Sequence, residues 1–421
     1  MFNTFQEAVE WIENSHRFGE KLDLVRMNLA CEILNHPERS FKSIHVAGTN
    51  GKGSTTNFIK NILHDAGYRV GIYTSPYVVM FNERIGINFE YITNDEVVYY
   101  ANILKELWDK VFEEYQDSIT FFEILTLMSF LYFRDKTVDI AVIEVGLGGL
   151  LDATNVIEPL ISVITNISYD HMKQLGNTLE SIALNKLGIV KQNRPLVTTE
   201  DNPNLKGLFE MICQSKNSKL IMINAGDISM IKVSTTTEFM FQQTRYKLQL
   251  TGLHQIKNAC LAIMCIDTLL EMKEIRVSPR NIYQGLYMTK WPGRFEIFNG
   301  NIVIDGAHNI GGIESLISSL KLVYPHHKMK CLFCMMRDKE HYKVIGELDT
   351  IVDEFHFTQI EYYRSATAEE LYNESHCDLK FIHESAKEAF NSLSSSLKND
   401  EVLVITGSLY FISFIRPFLI H

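Results

Sequence analysis

Ser43-Ile44-His45-Val46-Ala47-Gly48-Thr49-Asn50-Gly51-Lys52-Gly53-Ser54 is a short apolar run that breaks into glycines around one lysine. The apolar part predicts a strand over 43–47, the glycines a tight turn, and the residues beyond a helix from about Lys52 to Ala66. A glycine-rich turn between strand and helix lets backbone N–H groups close around an anion, and the helix N-terminus adds a favourable dipole. Lys52 carries a positive charge to the β- and γ-phosphates of a nucleotide, with Thr49, Asn50, Gly51, Gly53 and Ser54 lining the same loop. The general Walker loop needs glycine where Val46 stands and Ser or Thr where Gly53 stands. This loop is therefore a variant.

Outward from the loop, Val70 to Thr74 predicts the next strand. Asp139 to Val145 (DIAVIEV) and Ile161 to Ile167 (ISVITNI) are almost continuously apolar, as in strands buried on both faces of a parallel sheet. Thr4 with Glu7, Thr93 with Glu96 and Thr120 with Glu123 have capping-box spacing and open helices. The βαβ rhythm predicts an α/β fold with a mostly parallel, doubly wound sheet. Between about Lys219 and Leu250 the short runs KLIMIN, EFMFQ and YKLQL predict a small antiparallel patch on the edge of that domain. Helices resume over 255–272 and 279–287; Trp291-Pro292-Gly293 then supplies turn chemistry before a strand at Ile302 to Ile304. Further strands are expected near 329–335, 353–358 and 402–406. The expected division is a P-loop-type ATP-binding domain over 1–290, a linker at 291–296 and a smaller Rossmann-like α/β domain over 297–421.

Composition narrows the function. The 421 residues are 46% hydrophobic and 22% charged, ordinary for a chain that buries a full core. No apolar window is long enough to span a bilayer, and the first residues lack the basic and apolar regions of a signal peptide. The formal charge of −11 argues against generic nucleic-acid binding while leaving room for a local basic pocket. Seven scattered cysteines do not form a disulfide framework. Cys331 and Cys334 lie in the apolar run CLFCMM and predict a buried strand, since no second pair completes a zinc site. A reducing, cytoplasmic setting and a monomer are expected.

Other segments extend the pattern: Tyr73-Thr74-Ser75-Pro76, Asn82-Glu83-Arg84-Ile85, Glu144-Val145-Gly146-Leu147-Gly148-Gly149, Leu151-Asp152-Ala153-Thr154-Asn155 and Asp170-His171. Lys186 precedes Gly188-Ile189-Val190-Lys191, and Gly252-Leu253-His254-Gln255 precedes Asn258-Ala259. Trp291-Pro292-Gly293-Arg294, Asp305-Gly306-Ala307-His308-Asn309 and Thr406-Gly407-Ser408-Leu409-Tyr410 complete the series. In this order, together with G-T-N-G-K-G-S, they make the chain similar to the folylpolyglutamate synthase/dihydrofolate synthase family of the Mur-ligase superfamily along almost its whole length.

That resemblance implies an ATP- and Mg²⁺-dependent ligase joining L-glutamate to the carboxylate of a folate, or to dihydropteroate, through an acyl phosphate. A carboxylate is a poor acyl donor at neutral pH, and phosphorylation supplies the leaving group. The resemblance implies that Ser75, Glu144 and His171 hold Mg²⁺. From the residues alone Glu144, at the end of an apolar strand near the loop, already suits a metal ligand, whereas Ser75 reads as a turn residue and His171 as a capping or hydrogen-bonded histidine. Lys186 reads as a solvated lysine in the N-terminal half of a helix. The resemblance implies instead a lysine, often carbamylated, that holds a second Mg²⁺, although Asn185 and Leu187 stand where glutamate and alanine are frequent.

The resemblance further places Asn258, Arg294 and Asp305 at the nucleotide, bound between two domains whose closure excludes water. It places His308 near glutamate and the acyl phosphate, and Arg84, Asp152 and Ser408 at the substrate ends of the pocket. Leu150 replaces an arginine and Tyr77 a histidine that many family members carry, which predicts a tilt toward extending existing folates. Two other readings share the loop. A peptidoglycan amino-acid ligase would lack the Tyr73–Pro76 and Asn82–Ile85 segments, and a non-catalytic nucleotide-binding protein would not need the metal positions.

Overall fold

Lys42–Ala47, the strand that feeds the glycine-rich loop, lies inside an eight-stranded sheet in a computed structural model that describes residues 1–16, 23–77, 79–223 and 225–420. Across the sheet the order is Glu90–Tyr91, Ile85–Ile87, Val70–Tyr73, Ile140–Glu144, Lys42–Ala47, Ile161–Ile164, Leu196–Thr198 and Leu220–Met222. Ile85–Ile87 is antiparallel to both neighbours, and every other pairing is parallel. Val70–Tyr73, Ile140–Glu144 and Ile161–Ile164 are buried at every position, as their almost continuous apolar runs require.

From Lys42–Ala47 the chain runs through the helix Lys52–Asp65 to Val70–Tyr73 on one side, while Ile161–Ile164 later takes the other side. The strand order reverses at Lys42–Ala47, and an open α/β sheet leaves its ligand crevice at the carboxyl ends of the strands there. The register sets Val46 beside Glu144, Tyr73 beside Ile143 and Ala47 beside Ile164. The segments that begin at Gly48, Thr74, Val145 and Thr165 therefore leave the sheet side by side.

All three expected capping boxes form, opening the helices Phe5–Asn14, Asn94–Tyr115 and Phe121–Asp135. In the last of these, buried Glu123 also receives a two-pronged ion pair from buried Arg26, which reaches Asp117 at 2.7 Å. Pairing of this kind is what makes such buried charges tolerable.

The chain packs as two compact units: Met1–Asp227 with Asn258–Leu286, and Ile228–Lys257 with the chain from Tyr287 onward. This grouping differs from the expected patch over 219–250 in two ways. Leu220–Met222, in the run KLIMIN, pairs in parallel with Leu196–Thr198 and closes the edge of the large sheet. The antiparallel sheet is Ile228–Val233, Thr237–Phe241 and Thr244–Leu248, and it packs with the second unit, where Ile228–Val233 lies near the helix Ile310–Val323. Its buried face carries Phe239, Phe241 and Leu248; alternation shows that a face is covered but not by what.

The second unit also holds a six-stranded sheet in the order Glu296–Phe298, Ile302–Ile304, Glu401–Thr406, Lys328–Phe333, Glu354–Phe357 and Lys380–Ile382. Only Glu296–Phe298 runs antiparallel. Cys331 is buried in this sheet, and Cys334 is buried just beyond the same strand; both are free thiols. Among the described residues no helix is long and apolar enough to cross a membrane.

Candidate active site

Gly48 and Gly51 are the two positions where the loop needs glycine. Their φ angles are 146° and 86°. A Cβ on Gly48 would lie 1.8 Å from the Thr165 hydroxyl, and one on Gly51 2.3 Å from Oδ1 of Asn258. The second contact places Asn258 directly against the loop. Gly51 caps the helix Lys52–Asp65, whose first N–H groups open toward the loop.

The loop is laced to the segment that follows Ile161–Ile164. Thr49 donates its N–H to the carbonyl of Asn166 (3.0 Å) and its hydroxyl to the carbonyl of Ser168 (3.1 Å). Asn50 donates its N–H to Oδ1 of Asn166 at 2.9 Å, and Thr165 donates its hydroxyl to the Asn50 carbonyl at 2.6 Å. Thr165, Asn166 and Ser168 were not singled out in the sequence, because polar residues at the end of an apolar run carry no signal of which loop they will meet.

Lys52 bends back over its own loop and donates to the carbonyls of Gly48 (3.0 Å) and Thr49 (3.2 Å). Lys186 donates to the same Gly48 carbonyl at 3.1 Å. Its position corrects the sequence reading twice. The helix is Leu179–Leu187, opened by the Thr178–Ser181 capping box and closed at Gly188, so Lys186 stands in its last turn. It is buried, not solvated. Desolvation, then repulsion from Lys52, pushes its ammonium down to about 7, with Asp170 and Asp152 opposing.

Glu144 ends its strand with 4% of its surface exposed, next to Val46 in register. Ser75 lies two residues beyond the neighbouring strand Val70–Tyr73. His171 precedes the short helix Met172–Leu175 with φ 50°, and its side chain is 39% exposed. Ser75 and Glu144 lie at the carboxyl ends of neighbouring parallel strands, and His171 follows Ile161–Ile164, which the loop strand Lys42–Ala47 separates from Ile140–Glu144. Among the described residues no three His, Cys, Asp or Glu side chains gather closely enough to hold a metal by themselves. The hydroxyl and the carboxylate are oxygen donors of the kind Mg²⁺ takes, with waters completing its shell, whereas the imidazole of His171 is an unusual donor for that ion.

Elsewhere in this unit, buried Arg84 lies 5.0 and 5.5 Å from the ring centroids of Tyr77 and Phe121, and its Nε has no partner among the described residues. Asp152 is buried and turned toward the chain. One oxygen accepts the N–H of Leu147 (2.8 Å) and the other the N–H and hydroxyl of Thr154 (3.1 and 2.5 Å). It caps the short helix Ala153–Val156, and burial raises its pKa while these donors act the other way.

In the second unit Arg294, Asp305 and His308 share one turn system. Asp305 accepts N–H groups from Phe295 and Ala307, each at 2.8 Å. Burial raises its pKa against the pull of Arg294 and those two donors. Nδ1 of His308 lies 2.8 Å from the Gly306 carbonyl, so it carries the proton and leaves Nε2 as the acceptor in the neutral ring. Gly407 donates its N–H to the carbonyl of Ala307 (3.1 Å), which brings Ser408 to the same turn. Ser408 is buried, and its hydroxyl accepts the N–H of Tyr410 (3.1 Å) as the cap of Leu409–Ile415.

Residues 46–266 match the Mur ligase middle domain family and 293–409 the Mur ligase glutamate ligase domain family. Over 431 aligned positions, 99% of each chain, the sequence is 37% identical to the dihydrofolate synthase/folylpolyglutamate synthase of Bacillus subtilis. The chain belongs to this family. It is also 33% identical to a Lacticaseibacillus casei folylpolyglutamate synthase over 99% of each chain. The Thermotoga maritima folylpolyglutamate synthase crystal structure superposes with a TM-score of 0.85 at 33% identity, covering 99% of this chain and 96% of that one. An Escherichia coli FolC structure described as a complex with DHPP and ADP gives 0.87 at 26% identity, over 99% and 97%. Folylpolyglutamate synthase structures thus share the fold of this chain over almost its whole length.

Proposed function

We propose that this chain is an ATP-dependent ligase that joins the amine of L-glutamate to a carboxylate of a folate-type acceptor. One observation carries the reading within this family: the loop Gly48–Ser54, laced to 165–168, has two lysines folded onto the carbonyl of Gly48 at the carboxyl edge of the sheet.

The acceptor carboxylate attacks the γ-phosphorus of ATP, forming an acyl phosphate and releasing ADP. The glutamate amine then attacks the acyl carbon, loses a proton and expels inorganic phosphate. Phosphoryl transfer calls for positioning and charge neutralisation more than covalent help. The loop N–H groups from Thr49 to Ser54 cradle the phosphates, and Lys52 exchanges its carbonyl partners for phosphate oxygens. Asn258 braces the loop at Gly51. Arg294 and Asp305 serve the nucleotide, and His308 accepts a proton at Nε2 during amide formation. Arg84 and Asp152 serve the acceptor, and Ser408 the glutamate end through its turn.

Ser75, Glu144 and His171 are the residues that would hold Mg²⁺, which would supply charge neutralisation for the nucleotide phosphates. Lys186, with its pKa brought to about 7, has a neutral amine available near neutrality and is suited to carbamylation. A carbamate there would turn a cation into an oxygen ligand for a second ion.

Incubation with ATP, Mg²⁺, L-glutamate and either tetrahydrofolate or dihydropteroate tests the proposal. The expected result is ADP released in step with an acceptor one glutamate heavier by mass spectrometry. ADP release independent of both acceptors, with no amide product, would overturn it.

A further inference from the structure

His45 is fully buried on Lys42–Ala47, three residues before the loop. Its Nε2 lies 2.8 Å from the hydroxyl of Thr154. That hydroxyl gives its proton to Oδ1 of Asp152 at 2.5 Å, while Oδ2 of the same carboxylate accepts the N–H of Leu147 at 2.8 Å. A threonine hydroxyl has one proton, so its bond with His45 has to be an accepted one. His45 is therefore the Nε2–H tautomer.

Nδ1 is then an acceptor, and it meets no partner among the described residues. Leaving a buried polar atom unpaired is costly, and an apolar side chain would fill this place without that penalty. The imidazole stays neutral: desolvation, then the nearby Lys191 ammonium, pushes its pKa down to about 3. The arrangement is thus no proton path. Its one evident effect is to hold Thr154, and through it the Asp152 carboxylate, in a single orientation.

We infer that His45 is a positioning residue which, through Thr154, fixes Asp152 and so ties the acceptor side of the site to the strand that carries the phosphate loop. The inference rests on the reading of Asp152 as an acceptor residue. It explains why a histidine, and not a β-branched apolar residue, occupies the centre of this strand.

The test is steady-state kinetics of the full chain with ATP, Mg²⁺, L-glutamate and tetrahydrofolate, each variant first shown to be folded by circular dichroism. Thr154→Val keeps the shape and removes the hydroxyl; it is expected to raise KM for tetrahydrofolate about tenfold or more and leave KM for ATP within about twofold. Thr154→Ser restores the hydroxyl and is expected to stay within about threefold of the parent for both substrates. His45→Leu should reproduce the valine phenotype, and the double variant should be no worse than Thr154→Val alone, because both cut one connection. Should His45→Leu not fold, His45→Asn with the two Thr154 variants decides the question.

Equal rises in both KM values, or additive effects in the double variant, would overturn the inference. Asp152→Asn separates the two levels. If it leaves KM for tetrahydrofolate unchanged, the acceptor reading of Asp152 fails and the inference with it. If it raises that KM while Thr154→Val does not, only the relay through His45 fails.

Discussion

The ammonium groups of Lys52 and Lys186 share one acceptor, the carbonyl oxygen of Gly48, at 3.0 and 3.1 Å. Burial, and after it repulsion from the Lys52 ammonium, brings the pKa of Lys186 from 10.5 to about 7. A lysine whose folded pKa lies below its unfolded value destabilises the fold wherever it must be protonated. Between about pH 7 and 10 the unfolded chain binds the extra proton, so stability rises with pH through that window. Lys186→Met should remove this rise. Denaturant melts at pH 7 and pH 10 should show the parent gaining up to ~4 kcal/mol more than the variant. Parallel curves would show that Lys186 is not held in this way.

Among the described residues the Lys52 ammonium bonds to the carbonyls of Gly48 and Thr49 in its own loop, so its side chain contributes little to the fold. Lys52→Met should melt close to the parent and yet lose about 10²–10³-fold in kcat/KM for ATP, the range seen when one preorganised cation or donor is removed from a transition state. A parallel loss of melting temperature and activity would mean that the lysine acts through folding instead.

Gly51 tests the loop backbone. At φ 86° an alanine pays a conformational penalty of about 1–2 kcal/mol, and its Cβ would collide with Oδ1 of Asn258 at 2.3 Å. Gly51→Ala should raise KM for ATP about tenfold or more while leaving KM for the acceptor near the parent value. Adding Asn258→Ala should recover part of the loss, because it removes the colliding group. An additive double variant would show that the two residues do not meet.

What the sequence revealed follows from how local each signal is. DIAVIEV was expected as a strand over 139–145 and forms one at Ile140–Glu144, because burial on both faces selects apolar residues at every position. The capping boxes were legible because both partners lie within four residues. The strands Glu296–Phe298 and Lys380–Ile382 are three residues long, too short to show a period, and neither was expected. Lys186 reads as solvated because a lysine in a helix carries no sign of burial in its own neighbours; the carbonyl that its ammonium reaches belongs to Gly48, 138 positions away. Asp152 and Ser408 could be marked as special by resemblance alone, whereas their engagement with Leu147, Thr154 and Tyr410 needed the folded backbone.

Leu150 offers a test of acceptor choice. Its backbone is fixed on both sides: its N–H donates to the Asn185 carbonyl at 2.7 Å, and its own carbonyl accepts from Asn155 at 3.0 Å. Its side chain is 48% exposed, beside the turn that carries Asp152. An arginine placed here would extend from an anchored backbone into solvent-accessible space, so Leu150→Arg should change stability by less than about 0.5 kcal/mol. A new guanidinium can make a charge-assisted hydrogen bond to an acceptor, worth about 1.5–3 kcal/mol, which sets the scale of any gain. Leu150→Arg is expected to raise kcat/KM for dihydropteroate relative to tetrahydrofolate by about tenfold, with KM for ATP unchanged. Measuring both acceptors on parent and variant in one buffer decides it: an unchanged ratio would remove Leu150 from the specificity argument, and a ratio shifted the other way would reverse its sign.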